Sequence, residues 1–346
     1  MSKRRQEHEQ GQGTCKRLQK QKQKHLYLVL DDWDKGFTIR KIDGGNPRLG
    51  EPPVLRLVAP VPHYPMSFVA LGSSIFTSCN RHNGTLVYDT ETAALATGPC
   101  LPDPLLDGVN IFVAVDDMLY ALAYYFALRP HSFEVMSTAT NKGSRPSTPA
   151  LDWSWQSVPS SSPFDTEEAI VSYAVHPDGH TIFMSSHRLY RGRTFSFDTR
   201  RCEWRYHGEW RLPFKGKGYF DSQLDAWVGL HDESGGICSC QVASRSSTSN
   251  IQPEWKTVKE KLWSQKKLAL LTYMGGARFC IVECVLREGL KKYGDAFGDH
   301  DGCMLHISTF GLKYSHEGEL QTIGRATNSC LMSKHFDSFS PVAFWM

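Results

Sequence analysis

Phe68-Val69-Ala70-Leu71-Gly72-Ser73-Ser74-Ile75-Phe76 is an apolar run, a turn of small residues, and a second apolar run that ends on an aromatic side chain. Two such runs about a Gly-Ser turn predict a pair of antiparallel strands. The same grammar returns in Ile111–Tyr120 around Asp116-Asp117, and in Tyr173–Phe183 around His176-Pro177-Asp178-Gly179. Shorter copies lie at Gln223–Val228 and Thr272–Phe279. With Phe76, Tyr120, Phe183, Trp227 and Phe279 as equivalent points, the steps are 44, 63, 44 and 52 residues.

Working outward, the second half of each unit also repeats. Leu86-Val87-Tyr88-Asp89-Thr90-Glu91-Thr92 is echoed by Thr194-Phe195-Ser196-Phe197-Asp198-Thr199-Arg200-Arg201. A strand ending on an aromatic-Asp pair places a carboxylate where it can accept turn N–H groups. Trp155, Trp204 and Trp255 follow at comparable late positions. Long amphipathic helical patterns are scarce; the best is Glu254–Leu268, with Trp255, Val258 and Leu262 on one face. Asn83-Gly84 reads as a tight hairpin turn, and the polar stretch 138–148 inside the long segment 123–153 reads as a mobile or interacting loop.

A four-stranded unit recurring every ~40–50 residues is what a β-propeller blade requires, because one blade cannot cover both of its faces. Five units are expected at 66–102, 108–164, 170–214, 219–262 and 269–323. Residues 25–59 hold three more strands, and Pro341-Val342-Ala343-Phe344-Trp345 can supply the fourth. Closing the ring with strands from both ends removes an exposed edge. The expected fold is therefore an all-β propeller of six blades, with five or seven as alternatives and a pair of β-sandwiches as the competing architecture.

The chain has 346 residues and a formal charge of +3, unevenly spread. Residues 1–24 carry eight basic residues against Glu7 and Glu9; of the 39 basic and 36 acidic residues, 31 and 34 remain for 25–346. The tail has almost no apolar side chains and is expected to be disordered. Lys3, Arg4 and Arg5, followed by Lys16, Arg17 and Lys20, have the spacing of a two-part nuclear import signal, against a plain solubilising tail. The absence of interleaved aromatics and the mildly acidic body do not favour nucleic acid. No apolar run reaches the ~18 residues of a membrane helix, and the charged start has no secretory apolar region behind it. Ten cysteines in this length are too sparse for a disulfide scaffold. Cytoplasmic or nuclear residence with reduced thiols is the expectation.

Ala70-Leu71-Gly72 … Ile75-Phe76 … Val87-Tyr88-Asp89-Thr90-Glu91-Thr92 … Leu101-Pro102 resembles a kelch repeat, though most units lack its glycine pair. Residues 25–346 as a whole resemble a large plant family of uncharacterised proteins, grouped as a domain of unknown function and similar to kelch and F-box-associated propellers. The stretches that carry the likeness are His25–Trp33, Ser172–Gly179, Cys202–Trp210 and Phe339–Met346. The resemblance implies a propeller and brings no established chemistry. Residues 1–24 are too short for an F-box.

The residues themselves favour no reaction. Cys238-Ser239-Cys240 and Cys280-x-x-x-Cys284 sit in apolar strand patterns, where Cys behaves as a small hydrophobe rather than a zinc ligand. Gly298-Asp299-His300-Asp301-Gly302 reads as a polar turn, because Phe297 stands where a calcium loop needs an acid. There is no Gly-x-Ser-x-Gly elbow and no His-Glu-x-x-His. No cofactor, metal or catalytic residue is expected. His187–Arg193, with Arg188, Tyr190, Arg191 and Arg193, is a basic-aromatic loop of the kind found at binding hot spots, against a plain solvated hairpin. The reading is a monomeric, non-catalytic protein-interaction module with an unidentified protein partner. The alternative is a propeller hydrolase with carboxylates at its central channel, drawn from Asp31, Asp32, Asp116, Asp117, Asp178 and Asp225.

Overall fold

The computed structural model describes residues 23–346 apart from 44–48, 50, 63, 127, 139–152, 190, 232–234, 247–250, 263–268 and 291–292. The chain is all-β, and its strands form six four-stranded antiparallel units. The first contains β1 (Leu26–Trp33), β2 (Gly36–Ile42) and β3 (Leu55–Val58). Its fourth strand is the last in the chain, β24 (Val342–Trp345), paired to β1 with Leu26 opposite Trp345 and Val29 opposite Val342. The second unit is β4 (Ser67–Leu71), β5 (Ser74–Cys79), β6 (His82–Asp89) and β7 (Leu95–Thr97). The third is β8 (Val109–Val115), β9 (Met118–Tyr124), β10 (Ser132–Thr138) and β11 (Trp153–Ser157). The fourth is β12 (Ala169–Val175), β13 (Thr181–Arg188), β14 (Arg191–Asp198) and β15 (Glu203–Gly208). The fifth is β16 (Phe214–Asp221), β17 (Ala226–His231), β18 (Ile237–Gln241) and β19 (Trp255–Thr257). The sixth is β20 (Ala269–Gly275), β21 (Arg278–Leu286), β22 (Gly298–Tyr314) and β23 (Leu320–Lys334).

Each unit leaves two faces to cover, and each seam between units is one apolar cluster. Phe76, Phe112 and Leu119 join the second unit to the third, and Tyr120, Phe133 and Phe197 the third to the fourth. Phe183, Phe214 and Trp227 join the fourth to the fifth, and Val228, Phe279 and Phe310 the fifth to the sixth. Phe37, Phe68 and Ile75 join the first to the second. The sixth cluster joins the last unit back to the first, through Leu28 and Leu30 against Val282 and Leu305. Burial of one such side chain stabilises by roughly 1.5–3 kcal/mol, so the seams carry the fold.

The ends of the chain meet in that last seam. His25 and Met346 exchange two backbone hydrogen bonds, of 2.7 and 3.0 Å. Asp31, fully buried, accepts from Lys334 Nζ at 2.8 Å and from the Phe336 amide at 2.9 Å. Lys334 Nζ also donates to the Phe339 carbonyl at 2.7 Å. The fourth and fifth units are joined differently: β12 pairs in parallel with β16, making one eight-stranded sheet. The irregular course of β16 needs glycine. Gly216 sits at φ +67° in the irregular stretch between Lys215 and Tyr219, and a Cβ on Gly218 would lie 2.3 Å from the Phe214 ring.

The expected turn carboxylates are present. Asp89 accepts the Glu91 and Thr92 amides at 2.9 and 2.8 Å, and Asp198 those of Arg200 and Arg201 at 2.9 and 3.1 Å. Asp178 and Asp221 do the same in the first turns of the fourth and fifth units. Trp155, Trp204 and Trp255 all lie on the fourth strand of their units.

Four local expectations change. Asn83-Gly84 lies inside β6, because Cys79 pairs with His82 and the hairpin turns at Asn80-Arg81. Glu254–Leu268 does not begin as a helix: Trp255–Thr257 is an edge strand paired to Cys238–Cys240. Val258 and Leu262 are buried in the fifth–sixth seam after that strand ends, which is what gave the spacing its helical look. Segment 123–153 contains β10, and residues 139–148 of its polar stretch lie outside the described residues. Gly298–Gly302 opens the strand β22 with a register shift, rather than forming a separate turn.

Candidate functional site

One edge strand of every unit, β4, β8, β12, β16, β20 and β24, contributes to the wall of a single cavity of about 560 Å³. The wall is largely apolar, with Phe68, Ile111, Phe112, Leu270 and Phe344. Its charged side chains are Lys215 and Lys217, and no carboxylate stands among its lining residues. Lys217 lies opposite Tyr173 in the parallel β12–β16 pair, and its Nζ is 4.8 Å from the centre of the Tyr219 ring. Water reaches the Lys217 side chain, yet protein surrounds it, and this enclosure pushes its ammonium below the ordinary lysine range. The same enclosure pushes the Tyr173 phenol up to about 12 and the Tyr219 phenol higher still, so both stay protonated donors. Lys217, with its alternating Lys-Gly-Lys-Gly context on an otherwise apolar strand, escaped the sequence reading; that context was its one signal.

A second cleft, of about 670 Å³, opens at the seam of the fourth and fifth units, lined by His176, His180, Ser196, Arg200, Arg205 and Arg245 among others. Here two of the cations are compensated. Arg245 pairs with Asp178 at 2.9 Å, and Arg205 donates to the Ser246 carbonyl at 3.3 Å. Burial opposes ionisation of Asp178, but the Thr181 hydroxyl, the His180 and Thr181 amides and neighbouring His176 outweigh it and hold the carboxyl at about 2. Burial lowers His176, which keeps its ring neutral beside that carboxylate. Ser196 Oγ lies 2.7 Å from His207 Nε2, but both residues are buried, at 4% and 2% exposure, and tie β14 to β15.

The loops joining second to third strands form a rim at the third and fourth units. Phe126, Leu128 and Leu189 stand 68%, 87% and 78% exposed at the loop tips. A chain of ring contacts runs beneath them, from Phe126 to Tyr124, His131, Phe164 and Phe195. Arg193 caps that chain, 5.2 Å from the Phe195 ring. Of the basic-aromatic loop, Arg193 is held by Glu168 through its Nε at 2.9 Å and by Asp165 at 3.1 Å, which makes it part of the support. Arg188 pairs with Glu167, Arg191 is exposed with no carboxylate partner among the described residues, and Tyr190 lies outside them. Lys3, Arg4, Arg5, Lys16, Arg17 and Lys20 also lie outside the described residues.

The acids considered for hydrolysis do not converge. Asp31 is in the closing seam, Asp32 pairs with Arg40 at 2.7 Å, and Asp116, Asp117, Asp178 and Asp225 sit in four turn positions spread over three units. Cys238 and Cys240 are buried in the fourth–fifth seam; burial raises both thiols, Cys240 to about 12. Among the described residues no group of three or more His, Cys, Asp or Glu is placed to hold a metal ion. No helix among them is long and apolar enough to cross a membrane.

The fold and cavities thus define an all-β protein with repeated four-stranded units. Residues 23–331 match the family described as "Protein of unknown function (DUF1668)", and the chain belongs to it. No curated protein matches the chain. Among solved structures it is similar to TolB from Acinetobacter baumannii at 12% identity, covering 93% of this chain and 66% of that one with a TM-score of 0.49. It is similar to the periplasmic gluconolactonase PpgL of Pseudomonas aeruginosa at 11% identity, covering 90% and 98% with a TM-score of 0.47. For the Dos1 propeller the values are 13%, 91%, 77% and 0.43.

Proposed function

We propose that the six units are the blades of a kelch-like propeller closed by both ends of the chain, and that the protein is a non-catalytic interaction module. Its partner is a protein, bound by the rim of the third and fourth blades. The six seam clusters, the last of which returns to the first unit, support the ring. The observation that carries the binding reading is the exposure of Phe126, Leu128 and Leu189 on loops held firm from below. Apolar side chains at loop tips, beside the unpaired Arg191, are the makings of an anchor patch. The hydrolase alternative needs acids around the channel, and the wall offers lysines instead. Residues 1–24 act as a nuclear address in this reading; a tagged chain lacking them should lose nuclear enrichment.

The test is cross-linking mass spectrometry of the full chain in cell extract, against the variant F126S/L128S/L189S. The proteins cross-linked near 126–131 and 187–193 should be lost from the variant. Its folding stability should stay within about 0.5 kcal/mol of the wild type, as for surface changes. An unchanged set of cross-linked proteins overturns the proposal.

A further inference from the structure

We propose that the central channel is a binding site for a small organic carboxylate with an apolar body, its carboxylate held by Lys217, Tyr173 and Tyr219. Three features converge on that chemistry. The cavity has the size of a small-molecule site, about 560 Å³. The lining supplies cationic and phenolic donors without a carboxylate to answer them: among the described residues Lys217 makes no ion pair, and neither phenol has a hydrogen-bond partner. The remainder of the wall is aromatic and aliphatic, which suits a hydrophobic body and not a bare inorganic ion.

The donors are positioned by the backbone. The parallel pairing of β12 with β16 sets Tyr173 directly beside Lys217, and Tyr219 follows two residues later on the same strand. Gly216, at φ +67°, and Gly218, packed under the Phe214 ring, shape the course of β16 around Lys217. One ammonium set beside two phenols matches a single negative charge. A carboxylate that enters replaces channel water around Lys217 with a charge-assisted hydrogen bond, and the low polarity of the wall strengthens it. Lys215 lies on the same strand, adding positive potential but no phenolic neighbour in register.

The probe is 1-naphthoate, with 1-naphthamide as its neutral isostere, each titrated by calorimetry into the full chain. Naphthoate should bind saturably at one site and the amide at least about tenfold more weakly, the worth of a charged hydrogen bond. K217M should weaken naphthoate by about tenfold or more and leave the amide unchanged. K313M, on the outside of β22, should change neither. A second measurement needs no variant. Lysine acetylation read by mass spectrometry should be suppressed at Lys217 by saturating naphthoate and persist at Lys259, whose side chain is 81% exposed. Equal binding of acid and amide, equal binding by K217M, absence of saturable naphthoate binding, or acetylation of Lys217 indifferent to naphthoate would each overturn the proposal. Rim cross-links play no part in these readouts, so the two proposals stand or fall separately.

Discussion

Lys217 lines the channel and Lys334 lies in the seam between the last unit and the first, and the fold treats them in opposite ways. Lys334 is 8% exposed and satisfied: Asp31 at 2.8 Å, the Phe339 carbonyl at 2.7 Å and the Phe339 ring beneath it at 5.9 Å. Lys217 faces water in the channel with an aromatic ring beside it and no acid. Lys334 gives up bulk hydration and is repaid within the chain, whereas Lys217 keeps channel water and has no partner of opposite charge among the described residues. The difference separates a charge that ties the last unit to the first from a charge without an internal acid. The seam cleft lies between the two, since its Arg245 is half exposed and answered by Asp178.

Substitutions at three places sharpen this contrast, in descending order of effect on stability. K334M leaves Asp31 buried without its cation, and the expected loss is about 3–5 kcal/mol in denaturant unfolding. Burial already raises the Asp31 carboxyl, with Lys334 its chief counterweight. The double variant D31L/K334M should recover most of the loss, because apolar replacement of a whole buried pair is close to neutral. Equal losses in the single and double variants would break the reading of a coupled clasp. Asp178 comes next. Its folded-state carboxyl lies at about 2, below the ordinary 3.8, so the stability it contributes is present above pH 3.8 and lost as pH falls toward 2. The expected contribution is about 2 kcal/mol, and D178N should flatten that part of the stability–pH curve. A D178N curve parallel to the wild type would contradict it. K217M stands last: it should change stability by no more than about 0.5 kcal/mol while weakening carboxylate binding by about tenfold or more. A large loss of stability would make Lys217 a structural group after all.

The repeated four-stranded units are legible because they rest on strand periodicity and on turn chemistry that is local. The aromatic-Asp endings at Asp89 and Asp198 announced turns that the structure contains, and Pro341–Trp345 announced the strand that completes the first unit. The helix expected at 254–268 was misread because Trp255 belongs to an edge strand while Val258 and Leu262 belong to the seam that follows. Asn83-Gly84 was misread because the preceding pair, Asn80-Arg81, makes the turn. The sites were less legible. Arg193 reads as an exposed binding residue until Glu168 and Asp165 are seen around it. Phe126 and Leu128 read as ordinary apolar residues, since exposure is a property of the loop's place on the rim. Tyr173, Lys217 and Tyr219 come from two units, and only the parallel β12–β16 pairing brings them together.

The proposed ring rests on β24 completing the first unit against β1. Hydrogen exchange of the backbone amides in 342–346, followed by mass spectrometry under native conditions, tests this directly. With β24 at the edge of its sheet and paired to β1, its amides that face β1, Met346 among them, should exchange as slowly as the amides of β2. Exchange of 342–346 at the rate of a frayed chain end, with β2 still protected, would contradict the closed ring.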